Sequence, residues 1–187
     1  MSCDLSAGRL VPCKDNLGSI QNVYFCDFDE LSSFTLTADE VTDAAASGAA
    51  ISLYKYELKG ANSLETNIVS SPDNGTTFFE STLNLVLHKL TKEDNVQVKL
   101  LSFGRPRIIV QDMNNNFFLV GKDHGCSVSS GTAVTGAAFG DMAGYTLGMS
   151  ASEPLLPNFI SGATEANPFA GLTTVSGITT VVVGTNS

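Results

Sequence analysis

The run Ser71-Pro72-Asp73-Asn74-Gly75, then Thr82-Leu83-Asn84-Leu85-Val86-Leu87-His88-Lys89-Leu90, then Thr91-Lys92-Glu93-Asp94 decides the fold. Pro72 fixes φ and Asn74-Gly75 tolerate positive φ, so Pro-Asp-Asn-Gly is a tight turn. Beyond it, Leu83, Leu85 and Leu87 alternate with Thr82, Asn84, Val86 and His88, the period of a half-buried strand. The stretch predicts a long hairpin with flanks at residues 65–70 and 76–90 and a polar tip around Asp73. Thr91 with the acids that follow has the form of a capping box. Val96, Leu100 and Phe103 recur at helical spacing, Gly104 suits the end of a helix, and Pro106 stops it. A helix over 92–103 is expected, with its Val96, Leu100 and Phe103 side packed on a sheet.

Outward from this region the signals are mostly those of strands. Residues 19–28 are rich in β-branched and aromatic side chains. Residues 51–59 have strand composition without clean alternation. Residues 107–112 and 117–121 flank Met113-Asn114-Asn115-Asn116 as a second hairpin. Residues 126–133 and 144–151 flank a small-residue stretch centred on Gly140-Asp141, and Tyr145, Leu147 and Met149 share one face. Between 34 and 50 the run Thr37-Ala38-Asp39-Glu40 has the form of a helix start, and a loop with at most two helical turns is expected there. Residues 1–18 read as an extended N-terminal arm. Residues 154–187, with Pro154, Pro157 and Pro168, read as a C-terminal arm ending in a strand near 178–183. The fold class is mainly β (α+β): a β-sandwich or barrel-like core over 19–153, one flanking amphipathic helix and two arms.

A tail carrying Leu155, Leu156, Phe159, Ile160, Phe169 and Leu172 has no obvious local core. Several such side chains left in water make a patch that monomers seldom tolerate. These residues, with Pro72, Asp73, Asn74 and Gly75 at the hairpin tip, are therefore the candidates for contact with neighbouring subunits.

Composition narrows the function. The chain has 187 residues with 43% hydrophobic residues, enough for one sizeable core, and a formal charge of −9. Ten Lys and Arg without a run of them argue against tight nucleic-acid binding, which needs phosphates neutralised. An acidic channel wall lets a polyanion pass without sticking. No stretch reaches the roughly 18 apolar residues of a membrane span. Met1-Ser2-Cys3-Asp4 lacks the pattern of a signal peptide, so the cytoplasm is the expected site of maturation. Cys3, Cys13, Cys26 and Cys126 are then expected as reduced thiols, and their spacing matches no zinc motif.

Catalytic signals are weak. His88 falls on the outer side of a strand. His124 lies two residues from Cys126, but a productive dyad needs a cleft and an orienting group. Asp112, Asn114 and Asn116 imitate half of a calcium loop, yet Phe117 stands where glycine should follow and no Glu closes it. No phosphate loop, dinucleotide fingerprint or nucleophile elbow is present. The sequence points to no catalytic residue, no metal and no cofactor, and so to a non-enzymatic protein.

Cys3-Asp4-Leu5-Ser6-Ala7-Gly8-Arg9 leading to Cys13-Lys14-Asp15-Asn16-Leu17-Gly18, Asp73 to Glu80, Gly136 to Tyr145, Leu147 and Glu153-Pro154 together resemble virion proteins of phages from environmental and gut bacteria. The order hairpin, helix, hairpin and closing strands is similar to the tail tube fold of long-tailed phages and type VI secretion tubes. That resemblance implies a self-assembling subunit of hexameric, stacked rings around an acidic lumen. DNA passes through without specific binding. A long loop or arm joins successive rings, and the hairpin at 72–75 and the terminal arms are placed to do so. The implied partners are copies of the chain and other virion proteins, assembled in the host bacterial cytoplasm. The long C-terminal extension departs from the minimal tube subunit. A capsid auxiliary or head–tail connector fits the composition as well. A glycan-binding sandwich fits less well, since the chain has no Trp and four Tyr for stacking.

Overall fold

The computed structural model describes residues 7–10 and 13–184. Its strands are β1 (Ile20–Cys26), β2 (Leu31–Thr37), β3 (Glu40–Ala46), β4 (Ile51–Glu57), β5 (Ser63–Ser71), β6 (Thr76–His88), β7 (Arg107–Asp112), β8 (Phe117–Val120), β9 (Ser127–Val134), β10 (Gly144–Glu153), β11 (Asn158–Ile160) and β12 (Thr179–Val183). The helix α1 is Lys92–Phe103, and short 3₁₀ turns lie at Phe28–Glu30 and Ser176–Ile178. The protein is mainly β, with two sheets and one α-helix among the described residues. The large sheet runs β12-β4-β1-β7-β8-β11-β3-β2 and the small one β5-β6-β10-β9.

The centre of the large sheet is buried on both faces, as the near-continuous apolar runs of β1 and β7 require. On one face Val23, Phe25, Ile108 and Val110 share a core with Leu83 and Leu85 of β6 and Leu147 and Met149 of β10. The alternation read in residues 82–88 and 145–149 thus marks the inner face of the small sheet. On the other face Tyr24, Ile109, Ile51 and Leu53 meet Phe169, Leu172 and Val175.

That second contact corrects the expectation of a C-terminal arm over 154–187. β11 pairs parallel with β3 and antiparallel with β8, and β12 pairs parallel with β4. Between them the chain crosses β8, β7, β1 and β4, covering the central strands of the sheet on one face. Lys55 anchors the crossing through an ion pair with Glu165 at 2.8 Å. Asp43 of β3 does so by accepting from the Thr174 hydroxyl at 2.6 Å and the Thr173 hydroxyl at 3.2 Å. The Thr174 and Ala44 donors hold the Asp43 carboxyl below its ordinary range. These contacts therefore contribute above that range and weaken as pH falls through the lowered pKa. At Gly171 a Cβ would lie 2.1 Å from the Ser161 carbonyl oxygen, so only glycine lets the two backbones approach this closely.

The loop expected over 34–50 is instead the β2–β3 hairpin. Ala38 and Asp39 both have positive φ, as a two-residue hairpin turn demands. Thr37 and Thr42 pair across it with their hydroxyls 3.3 Å apart. The cap-like Thr37-x-x-Glu40 pattern yields to the strand preference of the flanking β-branched residues.

The hairpin read at 65–90 is formed by β5 and β6, paired from Ser63↔Asn84 to Ser71↔Thr76. The helix also stands where the sequence puts it, with Thr91 Oγ1 accepting from Asp94 N at 3.0 Å. Its orientation differs from the expected one. Val98 and Leu101 face the core, whereas Val96, Leu100 and Phe103 point to solvent. At 3.6 residues per turn the two stripes lie roughly opposite one another, so apolar periodicity alone did not choose between them. Leu100→Ala should therefore change stability by less than about 0.5 kcal/mol. Leu101→Ala should cost roughly 1–2 kcal/mol for its half-buried side chain. Urea unfolding of the pair checks the orientation, and the reverse ranking would refute it.

Candidate functional site

The residues that suggested chemistry are not arranged for it. Cys126 is buried, and burial pushes its thiol pKa up. The His124 ring turns instead to Glu153, with Nδ1 3.4 Å from Oε2. Glu153 Oε1 also accepts from the backbone N–H groups of Asp123 and His124, at 3.1 and 2.8 Å, so this carboxylate shapes a turn. Asp112 Oδ1 accepts from the backbone N–H groups of Asn114 and Asn116, at 2.8 and 2.7 Å, and Oδ2 from the Asn116 amide at 2.9 Å. A carboxylate ringed by donors in this way braces the β7–β8 turn. Asn114 extends the brace to the N-terminal segment through a reciprocal pair of bonds with the Leu17 backbone, at 2.9 and 2.8 Å. Among the described residues no group of three or more His, Cys, Asp or Glu is placed to hold a metal, and no helix is long and apolar enough to cross a membrane.

Instead the molecule presents exposed apolar surface in separate places. β10 pairs with β6 only as far as Glu153↔Phe79, so beyond Phe79 the β5–β6 hairpin continues as a two-stranded ribbon. Pro72, Asp73, Asn74 and Gly75 form its exposed tip, with Gly75 at φ 62°. Behind them Ile68, Val69 and Phe78 are exposed. Val69 and Phe78 are cross-strand partners and share the outer face with Glu65 and Glu80.

β6 is 13 residues long. At about 3.3 Å per residue its two ends are about 40 Å apart. α1 begins at the end opposite the tip and runs back toward the middle of the strand, where the Pro106 carbonyl beyond it accepts from Cys126 N–H at 2.8 Å; Leu100 is 57% and Phe103 83% exposed. Phe139, in the β9–β10 loop beside the His88 end of β6, is fully exposed. Asp141 holds this loop in shape by accepting from the N–H groups of Ala137 and Ala138, at 2.9 and 2.8 Å. Under α1 a groove is lined by Phe25, Tyr54, Tyr56, Leu100, Leu101 and Pro106. Burial, with the Asp94 charge adding to it, pushes the Tyr56 hydroxyl up to about 12, so this hydroxyl stays neutral, and Asp27 also lines the groove.

The residues proposed from sequence as contacts divide into two groups. The tip residues 72–75 are exposed, Leu156 and Phe159 are half exposed, and Leu155 is partly covered. Ile160, Phe169 and Leu172 are buried in the chain's own core and are withdrawn as contact candidates. Sequence reading did not single out Phe139, although a lone aromatic amid glycine and alanine is a residue without a local core. It also assigned Phe103 to the wrong side of the helix.

What the fold and these surfaces define is a two-sheet β protein with exposed apolar residues on its projecting hairpin, on the outer side of its helix and in the β9–β10 loop. Comparison with family models, curated proteins and solved structures yields no match.

Proposed function

We propose that the chain is a structural subunit of a tailed-phage virion, and within that class a tail tube subunit that repeats in stacked rings around a channel for DNA. The observation that carries this reading is exposed apolar surface on separate elements: Ile68, Val69 and Phe78 on the projecting hairpin, Leu100 and Phe103 on the outer side of α1, and Phe139 in the β9–β10 loop. Patches of this kind mark interaction sites. Two different patches on one chain make heterologous contacts that repeat head to tail, which close into rings or extend into filaments. The β-rich domain with one helix and a projecting hairpin fits the resemblance read in the sequence. The charge of −9 suits a wall that DNA slides past.

Sedimentation and negative-stain microscopy of the purified chain test this. Rings that stack into hollow tubes support a tube subunit. Closed single rings that never stack favour the connector or capsid-auxiliary role. A chain that stays monomeric at all concentrations overturns the structural reading. Replacing residues 69–78 by a two-residue Asn-Gly turn should leave the midpoint of urea unfolding close to the parent's, since these residues pair only with each other. The same variant should lose assembly, with the sedimenting fraction falling by about tenfold or more at equal concentration.

A further inference from the structure

Resting on that reading, we propose that the hairpin tip of one copy docks on the outer face of α1 of the next copy, with Val69 and Phe78 laid against Val96, Leu100 and Phe103. The two surfaces are complementary in charge as well as apolar. Residues 61–87 contain Glu65, Asp73 and Glu80 and no Lys or Arg. Glu65 and Glu80 flank Val69 and Phe78 on one face of the ribbon. On α1, Lys92 and Lys99 are exposed and lie on the same side of the helix as Val96. Glu93 in the first turn is the one exposed acid of the helix, and Arg105 follows its end. The receiving face is thus net basic within a strongly acidic chain.

The partner is another copy because the chain cannot make this contact with itself. The ribbon projects past Phe79 at the β5–β6 side of the small sheet, whereas α1 packs against β9 at the other edge, so the tip does not reach the helix of its own chain. Like-charged copies would repel in most orientations. Pairing the acidic ribbon with the basic helix face relieves that repulsion in one register. The contact is heterologous, so every docked copy still presents a free tip and a free helix.

Charge exchange tests the pairing. Lys92→Glu/Lys99→Glu and Glu65→Lys/Glu80→Lys should each lower the sedimentable fraction about tenfold or more, by putting like charges opposite one another. All four substitutions in one chain should restore assembly. Cross-linking gives a second readout. In a chain with Cys3 and Cys13 changed to serine, Phe78→Cys with Leu100→Cys should yield on oxidation a ladder of covalent multimers rather than a capped dimer. Wild-type assembly that is indifferent to both charge reversals, or a double-cysteine assembly without a ladder, overturns this contact and leaves the structural-subunit reading standing. A wild-type chain that does not assemble overturns both.

Discussion

Phe169→Ala should lower the free energy of unfolding by about 3–5 kcal/mol, among the largest effects of any single substitution in this chain. The Phe169 side chain is fully buried, and with Leu172 and Val175 it covers the face of the large sheet formed by Tyr24, Ile109, Ile51 and Leu53. The segment around it is fixed by its own hydrogen bonds, so it has little freedom to collapse into the space left behind. Asn167 accepts from the Phe169 N–H at 2.9 Å and donates to the Ser176 carbonyl at 3.2 Å. The Tyr24 hydroxyl donates to the Glu165 carbonyl oxygen at 2.9 Å, tying the crossing to the central strand beneath it. Equilibrium urea unfolding measures the effect. A loss below about 1 kcal/mol would mean that the crossing lies loosely on the sheet. Deletion of residues 162–187 should then be harsher still. It removes β12 and bares one face of the sheet, so it should yield an unfolded or aggregated chain. That outcome reverses the expectation drawn from sequence, in which the same deletion leaves a folded subunit that fails only in assembly.

The parts of the fold legible in the sequence are those governed by neighbouring residues. Pro72 to Gly75, the alternation through Leu83, Leu85 and Leu87, and the Thr91 cap act within a few positions, and the β5–β6 hairpin and α1 follow from them. Thr37-Ala38-Asp39-Glu40 was misread because two local patterns coincide. A Thr cap with an acid three residues on is also a two-residue hairpin turn with Asp at its second position, and pairing of β2 with β3 decides between them. The C-terminal crossing was misread for want of a strand or helix period. Yet Phe169, Leu172, Val175 and Ile178 recur every three residues. The bonds from Leu172 N–H to Phe169 O and from Ile178 N–H to Val175 O follow the i to i+3 pattern of 3₁₀ turns. Such a period places one residue in three on the same side and was a usable sign of burial. The outer stripe of α1 could be found in the sequence but not oriented. Val98 and Leu101 offer an equally apolar side, and contact with the sheets below selects them.

Arg107→Ala should cost about 3–5 kcal/mol, for electrostatic rather than volumetric reasons. Arg107 is only 4% exposed at the start of β7. Its Nε donates to the Lys122 carbonyl at 2.9 Å, and Nη1 donates to the carbonyls of Leu31, at 2.7 Å, and Phe28. Its guanidinium carbon lies 4.0 Å from the centre of the Phe28 ring and 5.2 Å from that of Phe34. One side chain thus ties together the 3₁₀ turn at Phe28–Glu30, the start of β2 and the turn after β8. Burial pushes the guanidinium pKa down, but arginine stays protonated, so carbonyl oxygens and ring faces supply the compensation for a buried charge. Alanine would leave three carbonyls short of a donor, each lost bond to the charged group being worth roughly 1.5–3 kcal/mol, less whatever water regains in the space opened. Arg107→Lys separates charge from geometry. It keeps the cation but replaces a planar fork with a tetrahedral head that cannot aim at the same carbonyls while stacking on Phe28. Lysine should therefore recover less than half of the loss in urea unfolding. Full recovery by lysine would show that charge alone suffices at this position, and an alanine variant as stable as the parent would show that the three carbonyls find water without penalty.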